Sequence, residues 1–146
     1  MSDNIPNLDK LIQQVEQQIL AESAARGQMK LGDFIAALKT AHPDASVFID
    51  WNMLNPLGFQ SYRGIYNHLA IGFAVDRPTM RVAMLLRYAQ LAIDQTFQGY
   101  KGGDFEMGEH TPLWVANWGH SSGVYVKGLD VTPHIVRILT GIEDAA

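Results

Sequence analysis

Helical periodicity stops about two-thirds of the way along this chain, and that change of texture constrains the fold more than any other feature. In residues 7–25 the apolar positions Leu8, Leu11, Ile12, Val15 and Ile19 are separated by Gln, Glu and Lys, which is the stripe of an amphipathic helix. Arg26 and Gly27 end it, as a basic residue and a glycine commonly do. A second helix is expected over residues 31–40, where Leu31, Phe34, Ile35 and Leu38 share a face before Pro43 forbids continuation. Pro78 suits the first turn of a third helix, whose buried face of Val82, Leu85, Leu86, Ala89 and Ile93 runs to about residue 94. Beyond it come short apolar runs cut by glycine, at residues 105–107, 113–118 and 123–131, which read as strands. Val47, Phe48 and Ile49 form an earlier short strand and residues 68–74 another. Residues 51–60, with Asn55, Pro56 and Gly58, read as a loop, and residues 135–142 as a last helix or strand.

These elements predict an α+β fold, an antiparallel sheet packed with two or three helices, plus an N-terminal amphipathic helix. A chain of 146 residues supports one hydrophobic core. Residues 1–27 are expected to form a helical arm and residues 28–146 a single α+β domain. The arm's thin stripe and Gln-rich outer face suit either a cap on the core or a short coiled-coil seam, and the second use makes the protein a homo-oligomer.

Cysteine is absent, so disulfides, thiolate metal ligands and thiol nucleophiles are excluded together, and a reducing compartment fits. The first residues lack the basic and apolar regions of a signal peptide, and no apolar run approaches the roughly 20 residues of a membrane span. The expectation is a cytoplasmic protein with no membrane partner. A net charge of −4 argues against coating a nucleic acid polymer, which needs a surplus of Lys and Arg. Any bound anion has to be met locally.

Two short segments supply such local charge: Tyr62-Arg63-Gly64, with Tyr66 following, and Tyr100-Lys101-Gly102-Gly103. Glycine lets backbone N–H groups approach an oxyanion, Arg offers a bidentate fork, Lys a point charge and Tyr a flat face for a base. Glycine beside a basic residue also describes an ordinary tight turn, and neither segment matches a phosphate loop or dinucleotide fingerprint. Further on, residues 111–120 read as a strand with Leu113, Val115 and Asn117 on one face and Trp114, Ala116 and Trp118 on the other. The amide of Asn117, on a strand otherwise apolar, needs partners and could read a base edge or a ribose hydroxyl.

Five histidines invite a metal or catalytic reading, and their spacing supports neither. Glu109, His110 and His120 could supply three ligands, but no helical paired-His pattern accompanies them, and no metal or cofactor is expected. His120-Ser121-Ser122 matches one half of a paired phosphoesterase signature that has no second copy. Asp104 and Glu106 share the wet face of a strand around Phe105, so no catalytic carboxylate pair is assigned.

The frame Ser61-Tyr62-Arg63-Gly64-x-Tyr66-x-x-Leu69-Ala70, then Gly99-Tyr100-Lys101-Gly102-Gly103-x-Phe105-x-Met107, then Thr111-Pro112-x-Trp114-Val115-Ala116-Asn117 resembles a family of small phage, prophage and bacterial proteins. Phage proteins of this size include sponges that bind cyclic-nucleotide or ADP-ribose-type immune signals, and the resemblance implies a counter-defence role of that class. The expected function is therefore sequestration of a small phosphorylated nucleotide by Tyr62, Arg63, Gly64, Tyr66, Tyr100, Lys101, Gly102, Gly103 and Asn117. The alternatives are an enzyme that cleaves such a signal, with His120 or His68 as base, and a small structural or regulatory oligomer without a ligand.

Overall fold

A computed structural model describes residues 4–62, 68–75, 79–93, 96–98, 104–117 and 122–143. Its elements run α1 (Asn4–Ala25), α2 (Leu31–Lys39), β1 (Ser46–Ile49), β2 (Asn55–Ser61), β3 (Leu69–Ala74), β4 (Met80–Arg81), α3 (Val82–Ala92), β5 (Thr96–Gln98), β6 (Asp104–Glu106), β7 (Leu113–Val115), β8 (Val124–Val131) and β9 (Ile135–Ile142). Seven strands form one sheet in the order β2-β3-β7-β8-β9-β1-β4, and β5 pairs with β6 in a separate ribbon. The fold is α+β. The sheet is mixed where an antiparallel one was expected: β1 pairs parallel to β9, and β3 parallel to β7. Both parallel pairs join strands far apart in sequence, so no local turn reveals them, whereas β2–β3 and β8–β9 pair antiparallel between sequence neighbours.

One face of the sheet carries the helices. Leu31, Phe34 and Leu38 of α2 and Val82, Leu85 and Ala89 of α3 pack with Val47, Ile49, Leu69, Ile71, Leu113, Val115, Val126, Val136 and Ile138 in one buried cluster. The i, i+3, i+4, i+7 spacing on α2 and α3 puts each apolar set on one side, and strand alternation does the same for the sheet. The end strands β2 and β4 approach each other, and α3 packs on both.

The third helix starts later than Pro78 suggests. Its first-turn amides at Val82 and Ala83 donate to the carbonyls of Ala45 and Pro43, so a distant segment fixes where the helix begins. Residues 51–60 are likewise not all loop. Asn52 and Met53 adopt positive φ (58° and 52°) in a turn after β1, and the chain then forms β2, with a register shift between Pro56 and Gly58.

Strands β7 and β8 pair at Trp114 and Tyr125 and then diverge, and the segment after α1 fills the gap. The Met29 amide donates to the Val126 carbonyl (2.6 Å), and the Leu113 amide donates to the Met29 carbonyl (3.0 Å). Gln28 adds a side-chain bond from Nε2 to the Leu113 carbonyl (2.7 Å). The chain is thus sewn into the sheet from residue 28 onward. Helix α1 itself makes no extensive contact with another described element, and Leu11 on its stripe is 57% exposed. Among the described residues, no helix is long and apolar enough to cross a membrane.

Candidate functional site

Of the nine residues singled out from the sequence, Arg63, Gly64, Tyr66, Tyr100, Lys101, Gly102 and Gly103 lie outside the described residues, as do Trp118 and His120. Their flanks are placed. Ser61 pairs with Leu69, and the Tyr62 amide donates to the His68 carbonyl (3.1 Å), so antiparallel partners bracket residues 63–67. Gln98 pairs with Asp104, so antiparallel partners also bracket residues 99–103. Strand β5, which leads toward Lys101, lies against β2, which leads toward Arg63.

Tyr62 packs inside the fold. It is buried, its ring stacks on Trp114 (centroids 4.4 Å apart, planes 10° apart), and its hydroxyl accepts a hydrogen bond from the Gly123 amide (2.9 Å). The expectation that Tyr62 offers an open face to a base gives way: Trp114 occupies that face. Trp114 is itself buried, pointing away from the helices, and donates from Nε1 to Nδ1 of His68 (2.7 Å). The Arg26 guanidinium lies 5.2 Å from the Trp114 ring and 5.8 Å from that of Tyr125, with one terminal nitrogen bonded to Gln28 Oε1 (2.6 Å) and the other 3.8 Å from Glu143. Gly141 makes room for the Tyr125 ring: a Cβ there would stand 2.5 Å from it, so a larger residue requires that ring to shift.

His68 is one of the two bases proposed for the enzymatic alternative, and its surroundings remove that role. Burial, and secondarily the Arg26 charge, lower its pKa from 6.5 to about 4, so the ring is neutral at pH 7. Its Nδ1 lone pair is engaged by Trp114, which assigns the single ring proton to Nε2 and leaves no lone pair to accept a substrate proton.

Asn117 follows β7 and is exposed, where a buried amide was expected. Its Oδ1 accepts from the Phe73 amide (3.0 Å), extending the β3–β7 pairing by one side-chain bond. Beside it lies a residue the sequence reading passed over. Gln60 sits opposite Ala70, and a Cβ on Gly72 would meet Gln60 Nε2 at 2.3 Å and Asn117 Oδ1 at 3.9 Å. Both amides therefore lie close to Gly72, and Gln60 Oε1 is buried without a partner among the described residues. The signal was present in the alternation: Gln60 and Tyr62 share the face that Phe59 does not. Of the carboxylates, Asp104 and Glu106 lie on β6. Among the described residues, no group of three His, Asp or Glu could hold a metal ion.

No protein-family model, no curated protein and no solved structure matches this chain.

Proposed function

We propose that this chain binds and sequesters a small phosphorylated, nucleotide-type ligand at the end of β2, with the β5–β6 ribbon completing the site. The observation that carries the reading is the contact of β5 with β2, since it sets the strand leading to Lys101 beside the strand leading to Arg63. Arg63 and Lys101 serve as phosphate donors with the amides of Gly64, Gly102 and Gly103, and Tyr66 or Tyr100 stacks the base. Gln60 and Asn117 supply an acceptor and a donor at one place, the pattern that reads a base edge. In the role suggested by the sequence resemblance, the protein is a phage counter-defence sponge acting in the host cytoplasm on cyclic-nucleotide or ADP-ribose-type signals. Residues 1–27 form its assembly arm, a role supported by the exposure of Leu11 and Leu20 in the single chain.

Of the two bases considered for cleavage, His68 has no lone pair to offer, and His120 lies outside the described residues. A native mass spectrum of freshly purified protein, compared with the ligand recovered after denaturation, tests sequestration against cleavage. Recovery of an intact nucleotide, or saturable binding of added cyclic di-GMP, cyclic di-AMP or cyclic ADP-ribose with the compound returned unchanged, supports sequestration. A changed mass on recovery indicates an enzyme, and absence of any bound or bindable nucleotide contradicts the proposal.

A further inference from the structure

Where the parallel strands β1 and β9 begin, the surface opens into a groove of about 490 Å³ lined by His42, Asp44, Ser46, Arg81, His134 and Ile135, among others. Sheet register assembles it: Ser46 pairs with Arg81 on one side and Ile135 on the other, and the Ser46 amide donates to the His134 carbonyl (3.0 Å). The Arg81 guanidinium is held in place by one terminal nitrogen, which donates to the Asp44 carbonyl (3.1 Å) and to Ser46 Oγ (2.9 Å). Its other terminal nitrogen and Nε make neither of these bonds. His42 is oriented too. Its Nδ1 accepts from the Asp44 amide (3.1 Å), so the proton of the neutral ring resides on Nε2, which becomes a donor. Arg81 immediately precedes α3, and the positive end of that helix dipole adds to its potential.

We propose that this groove is a second binding site, for a phosphate monoester carried on an organic body. An arginine and two imidazoles supply donors from separate segments. A planar carboxylate is satisfied by one guanidinium edge, whereas a tetrahedral phosphate has further oxygens for the imidazoles. Pro133 and the exposed Ile135 provide an apolar wall for the rest of the molecule, and the volume is that of a small-ligand pocket. Asp44 is the one acid in the lining, and its backbone carbonyl and amide, which hold Arg81 and His42, are the contacts the structure gives it here. A metal ion is a poor alternative, since the His42 Nδ1 lone pair is already engaged and no ligand set of three exists among the described residues. The site uses none of the residues proposed above.

The test is a titration of the full chain with AMP and, separately, with inorganic phosphate, followed by amide chemical shifts. AMP is expected to shift the amides of Ser46, Arg81, His134 and Ile135 saturably, and phosphate to do so roughly tenfold more weakly. His134→Ala, which leaves the backbone bond to Ser46 intact, is expected to weaken AMP about tenfold, and Arg81→Ala by more. If loss of the Asp44 and Ser46 bonds unfolds the arginine variant, His134→Ala and His42→Ala decide. Unchanged affinity in these variants, or shifts confined to the flanks of the other site at Tyr62 and His68, overturns the groove. Phosphate binding as tightly as AMP overturns the part played by Pro133 and Ile135.

Discussion

The two faces of the sheet solve the same burial problem by different chemistry. The helix-bearing face is apolar throughout, with Leu31, Phe34, Leu38, Leu85, Leu113 and Ile138 losing almost all contact with water. The other face buries two aromatic rings and a histidine, with Tyr125 half-buried against them, and two of its polar tips have assigned partners: the Tyr62 hydroxyl takes the Gly123 amide, and the Trp114 indole N–H takes His68 Nδ1. An apolar face depends on volume and tolerates any pH, whereas an aromatic face with polar tips depends on partners and on protonation.

The largest effect expected on that comparison comes from the apolar face. Phe34, fully buried and edge-to-face with Phe59 at 5.9 Å, is expected to cost about 3–5 kcal/mol when replaced by Ala, read from denaturant unfolding, with no dependence on pH from 7 to 5 beyond that of the wild type. A loss below about 1 kcal/mol would mean that this layer is loosely packed.

The aromatic face predicts a pH dependence. His68 has a lowered pKa in the folded state, so the unfolded chain takes up its proton first as pH falls. The associated stability is fully present above about pH 6.5 and is lost as pH drops to about 4, by on the order of 3 kcal/mol in total. Unfolding of the wild type and of His68→Gln across this range isolates that share; identical profiles would show that His68 is not shielded from solvent.

A smaller effect is expected from Arg26→Ala, which removes a cation from two rings, a hydrogen bond to Gln28 and an ion pair with Glu143. The loss should be about 1–2 kcal/mol at pH 7. Because Arg26 also disfavours protonation of His68, the variant's His68 titration should move upward, which NMR of the imidazole reads directly. No movement would assign the lowered pKa to burial alone, and a downward one would contradict the part given to Arg26. Least affected should be the stability of a chain lacking residues 1–20, since α1 makes no extensive contact with the described body. Light scattering should nevertheless report a smaller particle, and an unchanged subunit number would remove the arm from the assembly.

The faces also differ in how much of them was legible. Helix periodicity gave α2 to within a residue, and strand alternation assigned Leu113 and Val115 to one side and Trp114 to the other. What escaped was set by partners distant in sequence. Strand β2 was hidden by Asn55, Pro56 and Gly58, which mark turns locally but are tolerated on a strand at one end of the sheet order with an irregular register. Strands β4 and β5, of two and three residues, are too short to carry a period. Asn117 was assigned to a buried strand because its neighbours are apolar, although β7 ends at Val115. In the candidate site, Arg63 and Lys101 were conspicuous by residue type, whereas Gln60 and the engagement of His68 became visible only once β2, β3 and β7 were side by side.

Titration of cyclic di-GMP, cyclic di-AMP and cyclic ADP-ribose into wild type and Arg63→Ala, with thermal unfolding of both, tests the binding proposal most directly. Loss of a charge-assisted contact of roughly 1.5–3 kcal/mol predicts an affinity for the bound nucleotide lowered about 10- to 150-fold, with the melting temperature nearly unchanged. A variant that is strongly destabilised yet binds the same nucleotide as tightly as wild type would make Arg63 a scaffold residue and contradict the proposal.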